Sequence, residues 1–267
     1  MPSADPPPSA PPPPGPTPGP EPVSLSLPGP LVPAAFRERP NRFVVRAALE
    51  RDHGRWAAGD EVRCHLPDPG RLTELLRPGR RLWLLPAADP SRKTRWSALL
   101  VEAPGGGGGE VVSVDTTLPN RLVEEGLRRG ALEELSGWAL VRREFPWEGS
   151  RFDFLLEREG RRLVLEVKSV TLVEDGVALF PDAVTRRGAR HVAELREIAA
   201  LPEWEAAVLF VLQRADAHRI RAARSIDPRF ADALERARAG GVRVLGRRCR
   251  LTRRRVTLGE AVPAGPG

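Results

Sequence analysis

Residues 206–212 read Ala-Ala-Val-Leu-Phe-Val-Leu, seven apolar side chains with no polar interruption. A strand sends successive side chains to opposite faces, so such a run is stable only where both faces of its sheet are covered. The flanking segments supply covers. Residues 188–200 are amphipathic, with Val192, Leu195, Ile198 and Ala199 on one face. Asp227-Pro228 is a helix start, a capping carboxylate followed by proline at the first helical position; Gly240-Gly241 ends that helix, and residues 242–245 return to a strand pattern. Upstream, residues 120–135 predict a helix through Leu122, Val123, Leu127, Leu132 and Leu135, and residues 151–157 and 162–170 predict two strands. Strands alternating with helices predict an α/β domain with a partly parallel sheet over residues 110–262.

The first half has a different character. Residues 42–49 alternate, Asp52-His53-Gly54 is a hairpin signal, and residues 61–66, 81–85 and 97–101 are further short strands. Residues 71–76 predict a short helix stopped by Pro78-Gly79. A β-rich domain over residues 36–104 follows, and the five consecutive glycines at 105–109 predict a loop tip or a domain junction. Fifteen of the 29 prolines fall in the first 33 residues, so residues 1–35 are expected to be a disordered or polyproline-like extension.

Composition narrows the classes. No basic, apolar leader opens the chain, and no stretch approaches the ~18 apolar residues of a membrane span. The whole chain carries +7. Its first 33 residues hold Asp5 and Glu21 and no Lys or Arg, so the remainder carries +9, which favours a polyanionic partner. Two distant cysteines, Cys64 and Cys249, support neither a disulfide framework nor a zinc knuckle, and a reducing, cytoplasmic setting is expected.

Of 42 basic residues only Lys93 and Lys168 are lysines, and Lys168 sits inside a predicted strand. An ammonium is a compact charge that adapts to burial; a guanidinium is a broad, permanent fork. With Glu159-Gly160 at the centre of a two-residue turn, Arg158 faces Arg161, Glu157 faces Arg162, and Asp153 falls opposite Glu166. Directly opposed residues have Cβ atoms ~5 Å apart. Lys168 shares the face of Glu166. Two facing carboxylates need neutralising, and a hard divalent cation such as Mg²⁺ does so while acidifying a bound water and screening phosphoryl charge. The arrangement predicts phosphodiester hydrolysis, with Asp153 and Glu166 as metal ligands and Lys168 beside the attacking water. Glu125, on the preceding helix, is a further candidate ligand.

From about Phe36 to Val262 the chain resembles the sugar fermentation stimulation protein A family. The stretches that carry the resemblance include Asn41-Arg42-Phe43, Cys64-His65-Leu66-Pro67-Asp68-Pro69-Gly70-Arg71, Leu118-Pro119-Asn120-Arg121-Leu122-Val123, Ser150-Arg151-Phe152-Asp153-Phe154, Glu166-Val167-Lys168-Ser169 and Phe180-Pro181-Asp182-Ala183-Val184-Thr185-Arg186-Arg187-Gly188. The resemblance implies an α/β chain, α+β overall: an N-terminal OB-like β-barrel followed by a PD-(D/E)xK nuclease-type domain. It also implies DNA binding, cleavage of DNA or RNA with Mg²⁺ or Mn²⁺, and a link to regulating sugar, notably maltose, metabolism. Asp153, Glu166 and Lys168 match its nuclease motif and Glu125 its helix glutamate. The Pro-rich extension and the glycine run depart from the usual pattern.

Arg42, Arg46, Arg71, Arg92, Lys93 and Arg95 are candidate phosphate contacts on the barrel, and Arg186, Arg187 and Arg190 at the start of the helix after the catalytic strands. Such contacts give affinity without sequence preference. Trp83 and Trp96 are candidate stacking faces, with core packing the favoured reading. Six arginines in residues 247–255 track a backbone or decorate an edge strand. The alternatives are a DNA-binding regulator without cleavage, for which residues 231–245 fit a helix-turn-helix poorly, and an adaptor module using the Pro-rich segment.

Overall fold

A computed structural model describes residues 22–89, 91–105 and 110–266. The N-terminal domain is a barrel. Strands β2 (Val32–Asn41), β3 (Val44–Leu49) and β4 (Glu61–His65) form a meander, following β1 (Ser24–Ser26), which pairs elsewhere. Strand β5 (Arg81–Pro86) pairs with β2, β6 (Trp96–Glu102) pairs with β5, and a parallel β4–β6 contact closes the ring of five. Closure leaves no free edge in the ring, and Val32, Ala34, Val45, Leu66, Leu82 and Trp96 fill the interior. Trp83 and Trp96 are 3% and 1% exposed, so both pack into cores and neither offers a stacking face.

Strand β7 (Val111–Ser113) pairs antiparallel with β6. The glycine run therefore links two strands of one sheet, not two domains, and the barrel extends past residue 110; residues 106–109 lie outside the described residues. Residues 71–76 make only a turn, because Leu75 and Leu76 both donate to the Leu72 carbonyl and nothing propagates it.

The second domain is built on α1 (Leu118–Arg128), β8 (Ala139–Trp147), β9 (Ser150–Arg158), β10 (Arg161–Val170), β11 (Leu172–Glu174), β12 (Val177–Phe180), α2 (Arg186–Ala199), β13 (Trp204–Leu212), β14 (Arg219–Ala222), α3 (Pro228–Ala239), β15 (Arg243–Leu251), β16 (Arg255–Ala261) and β17 (Ala264–Gly265). Its main sheet runs β1-β16-β15-β13-β10-β9-β8, and β13 lies parallel to both β10 and β15. The apolar run of residues 206–212 is covered twice, as its sequence requires: Ala207, Leu209 and Val211 face the α1 core, and Ala206, Val208, Phe210 and Leu212 the core under α2 and α3. Asp227 caps α3 by accepting the Phe230 N–H at 3.0 Å.

Three expectations are corrected here. Residues 22–35 are not a disordered extension: Ser24-Leu25-Ser26 contains no proline and adds an edge strand to β16, with Val23 buried, and Val32 and Ala34 begin the barrel. Residues 1–21 of that predicted segment lie outside the described residues. Strand β15 is interior rather than an edge, and it leaves no room for a recognition helix. Of its arginines, Arg247 makes a bidentate pair with Glu134 (2.6 and 2.8 Å) and Arg248 meets Glu260, and in the turn beyond it Arg253 lies over the Trp83 ring.

Candidate active site

Glu159 (φ 51°) and Gly160 (φ 79°) both adopt the left-handed region, the two-residue turn that suits strand twist. It sets the β9–β10 register: Arg158 opposite Arg161, Glu157 opposite Arg162, and so on to Phe154 opposite Leu165. There the ladder stops. Phe154 packs in the α1 core, whereas Phe152, two residues earlier, packs in the core under α2. Strand β9 therefore rotates at Asp153. Its carboxylate takes over the hydrogen bonding: Oδ2 accepts the Val167 N–H at 2.7 Å and Oδ1 accepts from Asn120 Nδ2 at 2.6 Å. Asn120 reaches it from the first turn of α1.

Glu166 is 5% exposed and points under α2. Its Oε1 receives two donors, Lys168 Nζ at 2.5 Å and His191 Nδ1 at 2.8 Å. Its Oε2 is buried and has no partner among the described residues. His191, itself buried, accepts from Arg187 Nε at 3.3 Å through Nε2. A chain of contacts thus runs from the exposed start of α2 through His191 to Glu166 and Lys168.

The two carboxylates are electrostatically unequal. Burial, and then the neighbouring charge of Glu166, push the Asp153 carboxyl up to about 6 despite its bonds to Val167 and Asn120 and the nearby charge of Lys168. Burial acts in the same upward sense on Glu166, but His191 and Lys168 outweigh it and hold that carboxyl below the usual range. Among the described residues no three His, Cys, Asp or Glu side chains converge into a metal cage. The pair instead suits a cation that takes one or two carboxylates and completes its shell with water and substrate oxygens.

Asp153, Glu166 and Lys168 are thus brought together, and Glu125 is not. Five positions beyond Asn120, it is turned away around the helix and bound to Arg129 at 2.5 Å. The neighbouring Glu124 is also occupied, by Arg128 and Arg143. His191 and Asn120 are the site residues that motif reading missed. The signal for His191 was its place on the buried face of α2, four residues before Leu195.

Of the candidate phosphate contacts, Arg42, Arg71 and Arg187 line one cleft of about 990 Å³ between the barrel and the second domain. Arg186 is exposed on the first turn of α2; Lys93 lies on the exposed β5–β6 loop, where Arg92 reaches the Ser97 hydroxyl at 3.3 Å. Arg46 is paired with Glu38 at 2.9 Å and Arg190 with Glu194 at 3.4 Å. No helix among the described residues is long and apolar enough to cross a membrane.

Comparison with known proteins agrees with this architecture. Residues 38–114 match the SfsA N-terminal OB domain and residues 117–255 the sugar fermentation stimulation protein RE domain. The chain is 47% identical over 234 residues to a sugar fermentation stimulation protein homolog of Shouchella clausii, covering 88% of this chain and 97% of that one. It is 42% identical over 241 residues to the homolog of Chloroflexus aurantiacus, covering 90% and 88%. The structure of Pyrococcus furiosus SfsA in complex with Ca²⁺ superposes with a TM-score of 0.78 at 26% identity, covering 91% of this chain and 98% of that one. With both domains matched in order and nearly the full length shared with these relatives, the chain belongs to the sugar fermentation stimulation protein family.

Proposed function

We propose that the protein is a divalent-cation-dependent phosphodiesterase acting on nucleic acid, with Asp153 and Glu166 holding the cation and Lys168 at the attacking water. The observation that carries this reading is the partnerless Oε2 of Glu166, buried beside a second carboxylate. A buried acceptor left unmade costs ~1–3 kcal/mol, more when charged, so its persistence favours an occupant. The donors are hard oxygens, which suits Mg²⁺ or Mn²⁺, and the Ca²⁺ complex of the Pyrococcus protein supports a divalent ion.

When bound, such an ion supplies acidification of a water ligand and neutralisation of a phosphate oxygen. Asn120 and the Val167 amide fix the orientation of Asp153, and His191 does the same for Glu166. The Lys168 ammonium, with a side chain only 13% exposed, hydrogen-bonds the attacking water and offsets negative charge building on the phosphate. Arg42, Arg71 and Arg187 anchor flanking phosphates.

The test is cleavage of labelled single- and double-stranded DNA and RNA with Mg²⁺, with Mn²⁺ and with chelator. Asp153→Ala and Glu166→Ala are expected to abolish cleavage while keeping nucleic-acid binding. Wild-type rates in either variant, or a rate indifferent to chelator, refute the reading.

A further inference from the structure

The carboxylate site leaves the interdomain cleft unexplained. Its two walls come from segments far apart in sequence: the barrel loops at 39–42 and 68–73, and residues 169–187 of the second domain. They meet closely. Asp182 Oδ2 accepts the Leu72 N–H across 110 residues of chain at 3.4 Å. A Cβ on Gly70 would lie 2.3 Å from that same oxygen, so only glycine lets the barrel loop approach Asp182.

The loop is held from beneath by Arg39. Its guanidinium donates to the carbonyls of Gly70 (2.6 Å), Arg71 (2.7 Å), Arg42 (2.8 Å) and Asp68 (3.1 Å). With four carbonyls on one fork, Arg39 shapes the cleft and makes no ion pair with a carboxylate lining it.

What remains in the cleft carries both signs of charge. Arg42, Arg71 and Arg187 line it, and so do Asp68 and Asp182, yet among the described residues no ion pair joins the two sets. Asp68 is 8% exposed; its Oδ1 accepts the Gly70 N–H at 2.8 Å, and no donor among the described residues meets Oδ2. Burial of a carboxylate without an ion-pair partner is costly; the charge of Arg39 offsets it only in part, and Arg42, Arg71 and Arg187 make no ion pair with it. Phe180 and Pro181 add apolar wall. A ligand that satisfies every element carries an anion, a flat apolar body and hydrogen-bond donors. A nucleotide with an amino-bearing base has those groups.

We propose that this cleft binds one unpaired nucleotide of the substrate strand, its phosphate on the arginines and the amino group of its base on Asp68 and Asp182. The inference rests on the nucleic-acid reading of the neighbouring carboxylate site, which begins at Lys168, adjacent in sequence to the cleft residue Ser169. An exocyclic amino group donates to a carboxylate, whereas thymine has none and its single N3–H is flanked by two carbonyl oxygens that a carboxylate repels. In a paired duplex the base is stacked and one amino hydrogen is used in pairing, so a whole base can enter the cleft only from an unpaired strand.

The test measures binding in chelator, where no cleavage occurs, so that its outcome is independent of the nuclease assay. Fluorescence anisotropy compares full-length protein on labelled oligodeoxycytidine, oligodeoxythymidine, oligocytidine and a duplex. Wild type is expected to favour the cytosine strands over thymidine by roughly tenfold, and either sugar form showing this supports the proposal. Asp182→Asn keeps an acceptor for Leu72 and adds an amide donor; it is expected to erase that preference. Arg42→Gln is expected to weaken both strands alike and leave the preference standing. Equal binding of cytosine and thymidine strands by wild type, preference unchanged in a folded Asp182→Asn protein, tighter binding of duplex, or no single-strand binding at all each overturn the proposal.

Discussion

His191→Leu isolates one contact in the candidate site. Leucine is apolar and of similar bulk, so the substitution removes the Nδ1 donor 2.8 Å from Glu166 Oε1 with little change in volume. Both side chains are almost wholly buried, at 2% and 7% exposure, so water does not replace the lost donor. A hydrogen bond to a charged group is worth ~1.5–3 kcal/mol. At roughly 2–4 °C per kcal/mol for a chain of this size, the melting temperature in chelator should fall by about 3–12 °C. Glu166 then keeps only Lys168 to orient it, and Mn²⁺ affinity should drop by roughly 10–100-fold. His191→Gln, which retains an N–H donor, should recover part of both losses. The assays are thermal melting without metal and calorimetric titration with Mn²⁺ in the absence of nucleic acid. If His191→Leu melts like wild type and binds Mn²⁺ as tightly, the Arg187–His191–Glu166 chain positions nothing and the reasoning is refuted.

Two further outcomes are expected. Lys168→Arg keeps the charge but puts a broad fork where an ammonium sits 2.5 Å from Glu166; single-turnover cleavage should fall on the order of a hundredfold with melting close to wild type, and retained activity would return Lys168 to a structural role. Asp68 has its carboxyl pushed up to about 6 by burial and then by Asp182, above the 3.8 of an exposed aspartate, so its contribution to stability is full below about pH 4 and is lost as pH rises through about 6. Asp68→Asn should therefore raise unfolding free energy by up to ~3 kcal/mol at pH 7 and leave it unchanged near pH 4; equal effects at the two pH values in denaturant titrations would exclude this origin.

The fold was legible wherever a local rule sufficed. The unbroken apolar run at residues 206–212 announced a strand covered on both faces, and Asp227-Pro228 announced a capped helix, because burial and capping are read within a few residues. The hairpin turn at Glu159-Gly160 set the register that brought Asp153 toward Glu166 and left Lys168 beside it. Composition misled where it averaged over short segments. Prolines around Ser24–Ser26 hid a three-residue strand, and a domain boundary placed at residue 104 left out β7, which pairs into the barrel sheet.

What the sequence by itself determined, then, is those elements with a strong local signal and the candidate cluster that a single hairpin assembles. The rest was settled by packing between segments that carry no local signal for each other. His191 meets Glu166 because α2 docks over β10. Glu125 misses the site because the rotation of α1, set by Leu118, Leu122 and Val123 in their core, presents Asn120 instead. Ser24 pairs with Thr257, and Asp182 meets the barrel loop at Gly70, across chain separations that no local pattern spans. Such contacts depend on where whole elements come to rest, and that is fixed by the sum of their buried faces rather than by any one stretch of chain.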